Sequence, residues 1–441
     1  MDPRIIPRKE HHISRKQVSP NALRTLYRLR SKGFIAYLVG GCVRDLLLTR
    51  TPKDFDIATD ATPTQIKRLF RNCRLIGRRF RLAHLHFQDE ILEVSTFRRA
   101  ALPSDNVIAE EADQHHRPPR HMKDEDGMVL RDNVFGTPEE DALCRDFTIN
   151  ALAYNVGDFS VIDYSTGLSD LHERLIRPIG DPYIRFAEDP VRMLRAVRFA
   201  ASHDFVIEPA AWESLCRLAS AITRVPPARL YEEIQKLFLL GSSRPALGLL
   251  EKSGLLTALF PALNRWITAN NRRMMLLEAN LDSLDQLYRS GKPLALALFL
   301  AALFGPGLEE ETLTFHRDGI PYHQALDATC ATFMKEITGT VTIPGRVGSQ
   351  LRAILALQPA LHRKPPRRPA ATVSRSEFSD ALMYLRLMVQ MRKESRTTID
   401  WWETFLSEPC SVKPSETPAH DTPPKKRRKR RSRHRRGRPP A

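Results

Sequence analysis

Asp54, Phe55 and Asp56 put two carboxylates two positions apart. Residues i and i+2 of a strand share a face, so Asp54 and Asp56 would point together while Phe55 and Ile57 turn to a core. Paired carboxylates hold hard divalent cations. Mg²⁺ prefers oxygen ligands and leaves positions open for phosphate, which suits a two-ion site with a spacing of roughly 3.5–4 Å. Glu93 lies between Leu92 and Val94 in a β-rich apolar run and faces the other way. An acid there is costly unless paired or metal-bound, which makes Glu93 the candidate third carboxylate. Upstream, Gly40-Gly41 lets the backbone approach a ligand, the helix start that follows offers N–H groups to an anion, and Arg44 adds a fixed positive charge. A glycine turn with a solvated acidic strand end would explain an isolated Asp-x-Asp. It explains less well one that follows Gly-Gly-x-x-Arg-Asp by a single strand.

Two further constellations are polar and closely spaced. Arg145 and Asp146 stand about one helical turn from Asn150 in 139–155, read as a helix, so the three could converge on a ribose or phosphate. In FAEDPVRMLRAVRF (186–199), Asp189 is a natural N-cap and Pro190 a natural first helical residue. Capping alone would explain both, yet Asp189 and Arg192 also lie one turn apart with Arg195 on the same stripe. A carboxylate beside a guanidinium offers acceptor and donor in fixed geometry, enough to read the edge of a base.

The elements that must position these groups are legible from capping and period. Ser19 caps a helix with Pro20 first and Gly33 after its end, the strand 34–39 follows, and Thr62-Pro63 opens a second helix. Candidate strands are 74–77, 82–87 and 91–97. Segment 161–180 reads as strand, turn, helix and strand, with Asp163, Gly167 and Asp170 as turn residues. From Asp181 onward nearly every segment has helical period. The apolar run 294–304 is too short to span a bilayer and reads as a buried helix. Residues 100–143 are polar and irregular, and their histidines (115, 116, 121) lack partners at metal-binding spacing. Gly345-Arg-Val-Gly348 matches a KH-type GxxG with no matching fold around it.

A chain of 441 residues divides into two or more domains. The six cysteines show no CxxC spacing, so neither a zinc site nor a disulfide framework is expected, and a reducing cytoplasm fits. The N-terminus has no apolar signal segment. Of the net charge of +17, eleven cations fall between Lys425 and Arg438, a run that repels itself and should be disordered. Lys425, Lys426, Arg427, Arg428, Arg430 and Arg431 would attract RNA phosphates without sequence preference through counterion release. An anionic membrane surface, protein docking and simple solubilisation are the other readings of this tail. No GxxxxGK[ST] occurs, which disfavours a P-loop ATPase.

Gly40-Gly41-Cys42-Val43-Arg44-Asp45 followed by Asp54-Phe55-Asp56 resembles the head of the class II nucleotidyltransferases, the family of bacterial poly(A) polymerases and CCA-adding enzymes. The resemblance is specific over roughly 34–240. It implies an α+β fold: a polymerase-β-like nucleotidyltransferase head (mixed sheet with helices), then an all-α neck and body and a disordered basic tail. The expected divisions are a flexible basic arm (1–18), the head (19–180) with a mobile loop (100–138), a base-selecting neck (181–262), an RNA-binding body (263–407) and the tail (408–441). Arg145 to Leu152 resembles the family's RRDFTINAL segment near the nucleotide sugar, with Cys144 in place of its first arginine and one phosphate contact fewer. Glu188, Asp189 and Arg192 match the EDxxR motif that selects the base without a template. Arg224 to Arg229, with Glu232, Glu233 and Lys236, resembles the next helical motif, taken as support for the neck. Ile76 to His84 resembles a signature of the poly(A) polymerases that CCA-adding enzymes lack. It would set Arg78, Arg79 and Arg81 beside the path of RNA phosphates.

The function implied is template-independent transfer of AMP from ATP to RNA 3′ ends, with release of pyrophosphate and a role in marking RNA for decay. Asp54, Asp56 and Glu93 would carry catalysis around two Mg²⁺ ions, with Mn²⁺ as a substitute. Gly40, Gly41, Arg44, Arg145, Asp146, Asn150, Glu188, Asp189 and Arg192 would bind nucleotide. RNA-decay or RNA-chaperone proteins would be the protein partners. The alternatives are a CCA-adding tRNA nucleotidyltransferase, sharing every residue named, and a non-catalytic RNA-binding protein on the same scaffold.

Overall fold

The computed structural model describes residues 2–77, 82–99, 121–123, 129–132, 134–270, 272–338, 340–363, 365–392 and 394–407. Arg78, Arg79, Arg81, His115, His116 and the tail cations from Lys425 to Arg438 lie outside these residues.

Eight strands form one mixed sheet in the order Arg4–Ile6, Val161–Asp163, Leu152–Tyr154, Ala36–Val39, Asp56–Thr59, Ile91–Thr96, Leu82–His86, Cys73–Ile76. Asp56–Thr59 pairs antiparallel with Ala36–Val39 and parallel with Ile91–Thr96, a register that sets Asp56 opposite both Val39 and Glu93. Alternation along the strands divides the sheet into two faces. Ala36, Leu38, Ile57 and Val94 enter the main core, while Val39, Ala58, Phe97, Ala153 and Ile162 form a small second cluster on the other face. Asp56 and Glu93 belong to that second face, where the apolar cover is thin.

Local chemistry starts the helices as expected. Ser19 Oγ accepts from the N–H of Ala22 at the head of Pro20–Ser31. Thr62 with Gln65, and Thr137 with Glu140, make capping boxes for Pro63–Leu69 and Pro138–Cys144. Beyond the sheet the chain is helical from Pro182–Glu188 to Thr397–Ser407, apart from Val206–Ile207, which pairs parallel with Leu175–Ile176. The apolar run falls in the helix Leu296–Arg317, buried from Leu296 to Pro306. Among the described residues no helix is long and apolar enough to cross a membrane.

Three expectations change. The first eighteen residues are not a flexible arm: Arg4–Ile6 adds an edge strand to Val161–Asp163, Ile13 and Val18 are buried, and His12 Nε2 bonds the Leu46 carbonyl at 2.8 Å. Their apolar residues are few, and the sheet edge supplies the backbone partners that charge-based reading overlooks. The 139–155 segment is not one helix. The helix stops at Cys144, a short 3₁₀ turn covers Thr148–Asn150, and Leu152–Tyr154 is a central strand. Tertiary partners decide this: Thr148 N–H donates to the Arg177 carbonyl at 3.0 Å and its hydroxyl to Asp170 at 2.6 Å. The loop region includes a short hairpin, His121–Lys123 against Val129–Asp132.

Asp163, at the end of the strand Val161–Asp163, and Asp170, within the helix Gly167–His172, both hold backbone or side chains of the connection between them. Asp163 accepts from the N–H groups of Ser165, Gly167 and Leu168, and Asp170 accepts from Thr148, Thr166 and Arg177.

Candidate active site

A cleft of about 1080 Å³ lies between the sheet and the first helices of the α-helical half. Gly40, Gly41, Asp54 and Asp56 line it from the sheet, Arg145 and Asp146 from the connection after Cys144, and Asp189, Arg192, Arg195, Arg229 and Lys236 from the helices.

Gly40 ends the strand Ala36–Val39 at φ +78, ψ −140, a region essentially closed to side chains, and starts the helix Gly41–Leu47. A Cβ at Gly40 would stand 3.0 Å from Arg145 Nη1 and 3.8 Å from Asp56 Oδ2. The turn, the guanidinium and the carboxylate are therefore in close approach. Gly40→Ala is expected to destabilise the fold by about 1–3 kcal/mol and to raise the KM for nucleotide by displacing Arg145; thermal melts and steady-state kinetics check the two effects separately.

Asp54 sits just outside the strand, which begins at Asp56, and is exposed. Phe55 between them is buried, so both carboxylates still face the cleft. Burial, with the Glu93 charge next and Asp54 adding to it, pushes the Asp56 carboxyl up to about 6 against the pull of Arg145. That excess of negative charge is what a divalent cation relieves, so the residues fit one. Glu93 is beside Asp56 in register but half-exposed, its Oε1 is 3.2 Å from His84 Nε2, and it does not line the cleft. Among the described residues no group of three or more His, Cys, Asp or Glu forms a ready metal cluster. Two carboxylates with open positions match the habit of Mg²⁺, which completes its shell with water and phosphate.

Arg44, expected to offer its charge to phosphate, is instead buried. Its Nε and Nη2 donate to Asp45 Oδ1 at 2.9 and 2.7 Å and its Nη1 to Asn150 Oδ1 at 2.8 Å. Asn150 Nδ2 passes on to Asp146 Oδ1 at 3.2 Å, and Asp146 Oδ2 takes Arg195 Nε at 2.7 Å and Nη2 at 2.5 Å. Arg195 and Arg198 both reach Glu233, at 3.6 and 3.0 Å. One polar chain thus joins the Gly41–Leu47 helix to the helices Val191–His203 and Pro227–Phe238. Asp146 and Asn150 meet here through a turn and not through a helix.

Burial pushes the Asp146 carboxyl up, but Arg195, the Asn150 hydrogen bond and Arg192 outweigh it and hold the group well below the usual carboxylate range. A depressed native pKa contributes stability that is fully present above the unfolded value, about 4, and is lost as pH falls through the native one. Asp146→Asn, which leaves Arg195 buried beside a neutral partner, should cost about 3–5 kcal/mol at pH 7. The melting-temperature gap from the unaltered protein should narrow only below about pH 4.

The EDxxR residues are arranged differently from a single helix. Pro182–Glu188 ends, Asp189 is extended at φ −149, ψ 88, and Val191–His203 begins after Pro190, so Asp189 is not a side-chain cap. The Asp189 salt bridge is with Arg229, Nη2 to Oδ2 at 3.0 Å. Glu188 takes Arg185 at 3.1 Å and Arg192 at 3.6 Å. Arg192 Nη1 also donates to the Arg185 carbonyl at 2.8 Å, and burial, with Arg185 alongside, lowers its pKa to about 10, which leaves it charged at neutral pH. Arg185 Nη2 donates to the carbonyls of Cys144 and Arg145, fastening this corner to the sheet side.

Sequence reasoning missed Arg185 and Arg198 and took Arg229, Glu233 and Lys236 as support for the neck; all five line the cleft. The signal was present for two of them: Arg229 and Glu233 are four apart on a helix whose apolar stripe is Leu230, Ile234, Leu237 and Phe238, so both flank its buried face.

A carboxylate pair at a Gly-Gly turn, facing a cleft walled with guanidinium groups, on a mixed sheet followed by helices, defines a nucleotidyltransferase. Family profiles agree: "Poly A polymerase head domain" matches residues 36–177, "Probable RNA and SrmB- binding site of polymerase A" 204–267, and "Polymerase A arginine-rich C-terminus" 318–437. Poly(A) polymerase I of Salmonella typhimurium is 42% identical over 439 residues, 98% of this chain and 92% of that protein. The CCA-adding enzyme of Lactobacillus gasseri is 36% identical over 239 residues, 54% of this chain and 55% of that one. Among solved structures, the Bacillus stearothermophilus CCA-adding enzyme in complex with CTP aligns with a TM-score of 0.59 at 25% identity, covering 88% of this chain and 82% of its own. The chain belongs to the bacterial poly(A) polymerases, within the class II nucleotidyltransferase family.

Proposed function

We propose that this nucleotidyltransferase adds AMP from ATP to RNA 3′ ends without a template, releasing pyrophosphate. The observation that carries the reading is the single cleft in which Asp54 and Asp56 face Gly40, Arg145 and the Asp189–Arg229 and Arg192 groups. Poly(A) addition is preferred to CCA addition because similarity to Poly(A) polymerase I runs through nearly the whole chain, whereas that to the CCA-adding enzyme of Lactobacillus gasseri covers about half.

Gly40 and Gly41 leave room for phosphate oxygens, and Arg145, beside Gly40, supplies positive charge to them. Arg44, Asn150, Asp146 and Arg195 keep sheet and helices in register around the ribose. Asp189, oriented by Arg229, and Arg192, with Glu188, present acceptor and donor to the adenine edge. Asp54 and Asp56 would hold two Mg²⁺ ions, or Mn²⁺ in their place, with Glu93 as an outer neighbour. When bound, these supply a lower pKa for the RNA 3′-hydroxyl and charge stabilisation of the phosphates. RNA contact falls to the helices after residue 204, to Arg78 and Arg79, and to the basic tail; the match of 204–267 to an RNA-binding profile supports the first. Marking RNA for decay, alongside decay or chaperone proteins, is the biological role that fits such tailing.

The test is incubation with a generic RNA and each NTP alone. Long tails from ATP support the proposal; CTP incorporation on trimmed tRNA, without long A tails, rejects it in favour of CCA addition.

A further inference from the structure

Two aromatic residues are found among the described residues lining the cleft, Phe199 and Tyr288. Phe199 is buried beneath Arg198, Arg44 and Arg195, at 4.2, 5.1 and 5.6 Å from its ring, so no base can lie on it. Tyr288 is half-buried, belongs to the helix Arg272–Arg289 of the body, and lines the cleft.

Its position is tightly built. One turn earlier, fully buried Asp285 accepts from Ser243 N–H at 2.9 Å, Ser243 Oγ at 2.7 Å and Arg244 N–H at 3.0 Å. One residue later, Arg289 Nε donates to the Gly241 carbonyl at 3.1 Å. Gly241 lies at φ +69, and a Cβ there would come within 3.0 Å of Tyr288 Cδ1. The turn after Pro227–Phe238 is thus shaped to the edge of this ring, which fixes the ring relative to Lys236 and Leu240 on the cleft wall.

Arg229, which holds Asp189, is near the start of Pro227–Phe238, and Gly241 follows its end. At 1.5 Å per residue the helix alone carries Phe238 roughly 13 Å beyond Arg229. A base held at Asp189 and Arg192 cannot also lie on Tyr288, so a base stacked on Tyr288 comes from a different nucleotide. Lys236 lines the same cleft wall, and exposed Arg289 is held at the Gly241 turn that the edge of the ring meets. An aromatic face with cations beside it is how proteins hold single-stranded nucleic acid without reading its sequence.

We infer that Tyr288 is a stacking platform for a base of the RNA strand upstream of its 3′ end, with Lys236 and Arg289 beside the backbone phosphates. The inference rests on the polyadenylation reading for its ligand, a single-stranded RNA 3′ segment. The platform makes affinity for the growing A-tract independent of the RNA's own sequence, since every added adenine can take the same place.

The experiment compares the full-length protein with Tyr288→Ala, Tyr288→Leu and Tyr288→Phe. Binding of a fluorescein-labelled oligoadenylate is followed by anisotropy without ATP, and the KM values for oligoadenylate and ATP are measured separately. Tyr288→Ala and Tyr288→Leu should weaken oligoadenylate binding about five- to hundredfold and raise the RNA KM in step, with the ATP KM unchanged and Tyr288→Phe like the unaltered protein. Tyr288→Leu keeps bulk against Gly241, so its loss reports the ring and not a collapsed turn. Unchanged oligoadenylate affinity in a normally melting Tyr288→Leu overturns the inference. So does a raised ATP KM with RNA binding intact, which would assign the ring to the incoming nucleotide. Failure of the polyadenylation reading would show differently: the unaltered protein would extend no RNA with ATP, whatever the variants bind.

Discussion

Asp56→Asn is expected to lower AMP incorporation by about a thousandfold or more, equivalent to ~4 kcal/mol of transition-state stabilisation, while leaving oligoadenylate binding nearly intact. Asp56 is the more enclosed of the two carboxylates, and burial first, then the Glu93 and Asp54 charges, raise its pKa. Asparagine keeps the shape and removes the charge that draws a cation to this end of the sheet. Asp54→Asn should give a loss of the same order because both side chains face the same cleft. Single-turnover extension of a labelled RNA, set against anisotropy of the same RNA, measures the two effects independently. A parallel fall of incorporation and RNA binding would mean that the acids are structural. Asn in place of Asp56 also removes a like-charge repulsion, so its melting temperature should equal or exceed that of the unaltered protein, the reverse of Asp146→Asn.

The second large effect concerns which base is accepted. Asp189→Ala should reduce the preference for ATP over CTP, expressed as the ratio of kcat/KM values, by roughly a hundredfold, because a site built to hydrogen-bond a base discriminates through its polar partners. Arg229→Ala should move the ratio in the same direction by less, since it removes the group that orients Asp189 and leaves the carboxylate in place. Steady-state kinetics with the four NTPs checks both variants. An equal fall in kcat/KM for all four nucleotides would show Asp189 to be only a brace between the Pro182–Glu188 corner and the Pro227–Phe238 helix.

The acidic pair, the Gly-Gly turn and the strands around them follow from local rules. Period-2 alternation, positive-φ glycine and side-chain caps act within a few residues, so 36–39, 56–59, 73–76, 82–86 and 91–96 were legible as strands. The first eighteen residues and the 144–154 segment were not. Arg4–Ile6 gains its backbone partner from Val161–Asp163, and Leu152–Tyr154 gains one of its two from Ala36–Val39, strands that no local pattern ties to them.

The same division runs through the site. From its sequence alone this chain declares a carboxylate pair beside a phosphate-sized turn, a helical second half and a surplus of positive charge, because residue type and near-neighbour spacing carry that information. Only the tertiary structure decides which charges are paired. Arg44 belongs to Asp45 and Asn150, Asp146 to Arg195, and Asp189 to Arg229, partners up to 106 positions apart. A guanidinium takes whichever carboxylate the packing of helices brings within about 3 Å, and sequence separation does not enter that choice.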